Sequence, residues 1–160
     1  MESPLLSAAA HLYLLAGLRR DEALRLTVAD YTPGPAPTVR VAPVRTQERR
    51  IRIALTAAAA VDAYLATEAE TSADEPLLLG LRSDQVRAGI QRAARHASLA
   101  AGVHDLRRAS MAVVIGEGHP GREIEAYFGL SRVSGRRDLT VLTGDWDAPI
   151  AGALERAFTE

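Results

Sequence analysis

At 160 residues, with 48% hydrophobic and 24% charged side chains, the chain is long enough for one well-filled core and too apolar for global disorder. It has no cysteine and no apolar run near the ~18 residues of a membrane span, which excludes disulfides, thiolate metal sites and a transmembrane helix. The net charge is -1 and all 19 basic residues are arginines, so a mechanism that relies on a lysine proton donor is closed. The opening Met-Glu-Ser-Pro carries no basic region of a secretory signal, and a cytoplasmic protein is expected.

The spacing predicts a buried helix over residues 4–16, carrying Leu5, Leu6, Leu12, Leu14 and Leu15 and closed by Gly17. A short helix follows from about Arg20 to Leu26, with Asp21 and Glu22 in the first turn, where the helix dipole favours acids. The prolines of 32–37 make a turn that no helix crosses. On either side of an Arg-rich segment, 38–42 and 50–54 alternate apolar and polar residues, as the two strands of a hairpin do. Thr56 reads as the N-cap of a helix over 57–67 that turns Val61, Tyr64 and Leu65 inward, and the acidic stretch 68–76 reads as a loop.

Ser83 reads as a second N-cap, with Val86, Ile90 and Ala94 at helical spacing up to about Ser98. A helix beginning near His104 carries Leu106, Met111, Val114 and Ile115 and ends at Gly116 or Gly118. After the turn at His119-Pro120-Gly121, a short helix over 122–128 buries Ile124 and Phe128 and is stopped by Gly129. Residues 131–145 have no clear period. Asp147 caps a final amphipathic helix with Ile150, Leu154 and Phe158 on one stripe. Helices, a small antiparallel hairpin, then helices again make a mostly α fold with a minor sheet.

Charge is unevenly placed. Arg40, Arg45, Arg49, Arg50 and Arg52 crowd one segment and Arg132, Arg136 and Arg137 another, while Glu68, Glu70, Asp74 and Glu75 gather elsewhere. Such clustering leaves room for a basic face on a near-neutral molecule. Arginine is permanently charged and its planar fork matches two phosphate oxygens, so paired arginines suit a phosphate under attack.

Gly17-Leu18-Arg19-Arg20-Asp21-Glu22, then Glu48-Arg49-Arg50-Ile51, then Gly102-Val103-His104-Asp105-Leu106-Arg107 stand in an order that resembles the catalytic domain of tyrosine recombinases (phage integrases). The resemblance covers nearly the whole chain. It implies one catalytic-type domain over residues 1–160, without the N-terminal core-binding domain. It also implies phosphate-binding roles for Arg19 and Arg107, a supporting role beside an arginine for Glu22, and a proton-acceptor or phosphate-ligand role for His104. Arg45, Arg49 and Arg50 of the hairpin join them as expected contacts to double-stranded DNA.

Three positions depart from that pattern. The catalytic lysine of the hairpin turn falls at Val44, beside Arg45, whose guanidinium holds its proton too tightly to act as an acid. The second histidine falls at Leu130 and the nucleophilic tyrosine at Leu139. Tyr127 is the one candidate for a displaced nucleophile, and its neighbours Ile124 and Phe128 favour packing instead. Ser131 and Ser134 have no activating base nearby, and Trp146 reads as an anchor for the last helix. His11, His96 and His119 lack metal-ligand spacing, and neither metal nor cofactor is expected.

The leading expectation is a catalytically inactive, DNA-associated or regulatory domain. An active site-specific recombinase with a displaced nucleophile and a protein-interaction scaffold without DNA binding remain as alternatives. The apolar stripe of the C-terminal helix also needs a surface, either in its own core or as a protein partner or homo-oligomer contact.

Overall fold

The computed structural model describes residues 3–42, 48–68, 70–78, 80–130, 142 and 144–159. Seven α-helices appear among them in the order α1 (Pro4–Leu15), α2 (Arg20–Arg25), α3 (Leu55–Leu65), α4 (Ser83–His96), α5 (Val103–Gly116), α6 (Gly121–Phe128) and α7 (Ala148–Thr159). A 3-10 turn over Val28–Asp30 leads into a three-stranded sheet of β1 (Tyr31–Thr32), β2 (Thr38–Val41) and β3 (Arg49–Arg52). The mostly α fold with a small antiparallel sheet is as the sequence predicts. Val44 and Arg45, Ser131 and Ser134, Arg132, Arg136, Arg137 and Leu139 lie outside the described residues.

The centre of the molecule is α1, which packs against α3, α4, α5 and α7. Its small residues Ala8 and Ala9 and the larger Leu12, Tyr13 and Leu15 are all buried, so neighbouring helices approach it from several sides. Strand alternation sends Val39, Val41 and Ile51 inward against this core. The β2–β3 register pairs Val39 with Ile51 and Arg40 with Arg50, which places two arginines opposite each other on the outer face. Arg40 is held there by Asp30 at 2.8 Å.

Four local expectations need correction. β1 is a third strand beyond the expected hairpin, and it takes in Thr32, which was expected to open the proline-rich turn. Thr56 is not the N-cap of α3; Ala54 is, and the N–H and hydroxyl of Thr56 both donate to the Glu155 carboxylate of α7. Ser83 is the first helical residue of α4, with Arg82 as N-cap donating its N–H to Gln85 Oε1 at 2.8 Å. Ile115 is 58% exposed, because the buried stripe of α5 runs through Val103, Ser110 and Val114.

The last helix docks on its own chain. Ile150 and Leu154 are fully buried, and Phe158 is partly so. Asp147, just before α7, accepts from the Arg52 N–H at 2.6 Å, and Glu155 accepts from the Thr56 N–H at 2.9 Å. Helix α7 therefore closes the N-terminal end of α3, satisfying a backbone donor that α3 cannot satisfy itself.

Candidate functional site

Gly17 makes the first turn of the site possible. It sits at φ +59°, and a Cβ there would stand 2.2 Å from the Phe128 ring. Only glycine tolerates both the left-handed backbone and that approach. The chain then enters α2 with Arg19 as N-cap, and Glu22 Oε2 reaches back to accept from the Arg19 N–H at 2.8 Å.

Glu22 is buried and its main partner is Arg49 of β3. Arg49 Nη1 donates to Oε1 at 2.9 Å and Nη2 to Oε2 at 3.0 Å. Arg107 of α5 adds its charge at 4.0 Å. Burial alone would raise the carboxyl pKa, but the hydrogen bonds and charge of Arg49, with help from the Arg19 N–H and Arg107, bring it below its ordinary value. The carboxylate thus stays ionised inside the fold, neutralising one of the arginines around it.

Arg107 is placed from two sides. One turn beyond it, the buried Ser110 hydroxyl donates to the Leu14 carbonyl of α1, fixing α5 against α1. The Arg107 guanidinium donates to the Gly17 carbonyl through Nη1 and to the Phe128 carbonyl through Nη2 at 2.6 Å, and lies 5.5 Å from the Phe128 ring centre. Arg19 Nη2 donates to the Gly129 carbonyl at 3.0 Å, and Arg49 Nε to the Tyr127 carbonyl at 3.0 Å.

Beside this network opens a hollow of about 250 Å³ lined by Leu18, Arg19, Arg20, Asp21, Val103, His104 and Arg107. The structure therefore brings Arg19, His104 and Arg107 to one concavity, with Asp21 the one carboxylate on its wall. His104 is exposed in the first turn of α5, and the start of α2 meets it there, so two helix N-termini with their partial positive charge converge on the space. Their outermost N–H groups are already used by Glu22 and Asp105. The side chains that face the hollow can pair with an anion of phosphate size.

The other residues singled out by the sequence lie apart. Arg49 is inside the fold on Glu22. Arg50 is exposed on the outer sheet face near Thr32 and Thr38. Tyr127 is fully buried: its hydroxyl donates to the Arg52 carbonyl at 2.8 Å, its ring meets Phe128 edge-on, and burial, with Asp147 nearby, pushes its pKa upward. A phenol so placed is neither solvent-accessible nor easily ionised. No three-residue cluster of His, Asp or Glu suited to a metal occurs among the described residues.

One cationic surface escaped the sequence reading. Arg87, Arg92 and Arg95 of α4 are all exposed and have no carboxylate partner among the described residues. The spacing of Arg87 and Arg95, two helical turns apart with Gln91 between them, was the available signal.

Solved structures decide the fold. The XerH site-specific recombinase bound to difH substrate, in a pre-cleavage complex, superposes with a TM-score of 0.69 at 16% identity, over 82% of this chain and 42% of that one. The fold is that of a tyrosine recombinase catalytic domain. The XerH post-cleavage complex with palindromic difH gives the same TM-score and identity over 82% of this chain and 41% of that one. XerA recombinase matches with a TM-score of 0.67 at 18% identity, covering 98% of this chain and 61% of its own. This recombinase-fold chain spans less than two thirds of each of those proteins. No protein-family model and no curated protein matches it. No helix among the described residues is long and apolar enough to cross a membrane.

Proposed function

We propose that this chain is a recombinase-fold domain that grips the DNA backbone without cutting it, acting as a DNA-associated or regulatory protein. The observation that carries the reading is the single hollow shared by Arg19, Arg20, His104 and Arg107. Binding a phosphate needs only such hydrogen-bond donors and the charge of the arginines, whereas covalent strand cleavage needs a nucleophile. The sequence puts Leu139 at the nucleophile's place and offers no lysine to protonate a leaving oxygen. Tyr127, the displaced candidate, is sealed in the core, which weighs against an active recombinase. The exposed arginines of α4, with Arg50 on the sheet, supply further cations for backbone contacts. XerH, which shares this fold over about two fifths of its chain, was solved bound to difH substrate.

A specific observation favours the scaffold reading as runner-up. Arg19, Arg49 and Arg107 all donate to backbone carbonyls at the end of α6, so each already has a structural job. A titration of duplex DNA across a salt series separates the two. The DNA-binding reading expects affinity at low salt that falls as salt rises, with a log–log slope of roughly -0.9 per phosphate neutralised. Arg87→Ala with Arg95→Ala should weaken binding to all sequences alike and flatten that slope. No binding at low salt leaves the scaffold.

A further inference from the structure

Helix α6 ends in an unusually complete account of its carbonyls. The Leu130 N–H donates to the Glu125 carbonyl at 2.9 Å and the Gly129 N–H to that of Ala126 at 3.4 Å, the paired closure of a helix that ends on a left-handed glycine. That leaves the carbonyls of Tyr127, Phe128 and Gly129, and each takes one arginine: Arg49, Arg107 and Arg19 respectively. The three arginines come from β3, α5 and the start of α2. Two of them, Arg107 and Arg19, also line the hollow. The same two guanidinium groups are therefore the wall of one feature and the cap of another.

We infer that anion occupancy of the hollow and order at the C-terminal end of α6 are thermodynamically coupled, so that a bound phosphate tightens the helix end. This rests on the reading of the hollow as a phosphate site. The sign follows from the charges. Arg49 and Arg107 flank the buried Glu22 and Arg19 acts on Arg107 from the hollow, so three guanidinium groups share two carboxylates, Glu22 and the exposed Asp21, and cations are in excess. At Arg107 burial is the main influence that lowers the pKa to about 10; Arg19 and Arg49 push the same way, and Glu22 and Asp21 oppose them. An anion in the hollow offsets the cation excess. Each terminal guanidinium nitrogen carries two hydrogens, so Arg19 and Arg107 can serve the anion while keeping their carbonyl acceptors. The anion selects the arrangement in which both forks are held at α6, and whatever it binds selectively it stabilises.

The experiment follows the full-length chain by NMR as inorganic phosphate replaces chloride at constant ionic strength. The His104 imidazole resonances report filling of the hollow, and amide hydrogen exchange at Gly129 and Leu130 reports the helix end. The expected result is a saturable His104 shift together with exchange slowed about fivefold or more at both amides, while Ile90 in α4 is unchanged. In Arg19→Ala, which removes one of the shared groups, the two amides should exchange faster and lose their response to phosphate. A His104 shift with no change at Gly129 and Leu130 overturns the coupling and leaves the phosphate reading intact. No response at His104 overturns that reading, and the coupling with it.

Discussion

Glu22 and Arg49 meet in a two-pronged ion pair inside the fold, with contacts of 2.9 and 3.0 Å and side-chain exposures of 4% and 9%. Removing one partner strands the other without water. Glu22→Ala would leave Arg49, Arg107 and Arg19 together with no internal counter-charge. We expect it to cost about 3–5 kcal/mol, read as a fall in the urea midpoint at unchanged slope. A loss under about 1 kcal/mol would show that water reaches the pair.

Acid should unfold the protein through its carboxylates. Glu22 and Asp30 have pKa values lowered in the folded state, below ordinary values of 4.5 and 3.8. The unfolded chain therefore takes up protons first as pH falls. Their stabilisation is complete above those ordinary values and is lost as pH drops through the lower folded ones. Urea melts should give stability nearly level from neutral pH to about pH 5 and falling below that. Glu22→Gln, compared at each pH, should remove part of the acid slope, and an unchanged slope would assign it elsewhere.

Tyr127→Phe tests the buried phenol in two ways. Its hydroxyl satisfies the Arg52 carbonyl, so its loss should cost about 1–3 kcal/mol in thermal or urea melts. Incubating the unsubstituted protein with suicide DNA substrates should trap no covalent adduct. An adduct that disappears in Tyr127→Phe would instead establish a displaced nucleophile.

Glu155→Ala should weaken α3 rather than α7 alone. The Glu155 carboxylate takes the Thr56 N–H and hydroxyl, a capping role whose removal is worth about 0.5–2 kcal/mol. A chain ending at Gly144 should lose far more, since Ile150 and Leu154 leave the core with it. Light scattering of the intact and shortened chains checks the arrangement. A monomer that merely loses stability fits docking in cis, whereas a large oligomer that dissociates on truncation would place the helix on a neighbour.

Much of this architecture is legible locally. Gly17 and Gly129 close their helices at the expected residues because a left-handed stop needs only its neighbours. Arg49 was grouped with Arg45 and Arg50 as an expected DNA contact, yet the structure buries it on Glu22; its two-residue spacing from Ile51 was the signal that it turns inward. Local pattern could not supply Glu155, which reaches α3 from across the fold and makes Thr56 a donor to another helix rather than a cap. Nor could it supply β1, whose two residues form a strand only because β2 lies beside them. His104 and Arg107 stand three apart on α5, but their meeting with Arg19 depends on how α5 packs against α1.

Glu155 and Asp147 give the fold an order of assembly. The start of α3 and the end of β3 both wait for acceptors made about a hundred residues later, at Glu155 and Asp147. During synthesis the hairpin and α3 emerge first with donors still turned to water. Until α7 is made, those two donors lack their native acceptors, and its docking completes the end of β3 and the start of α3 in one step.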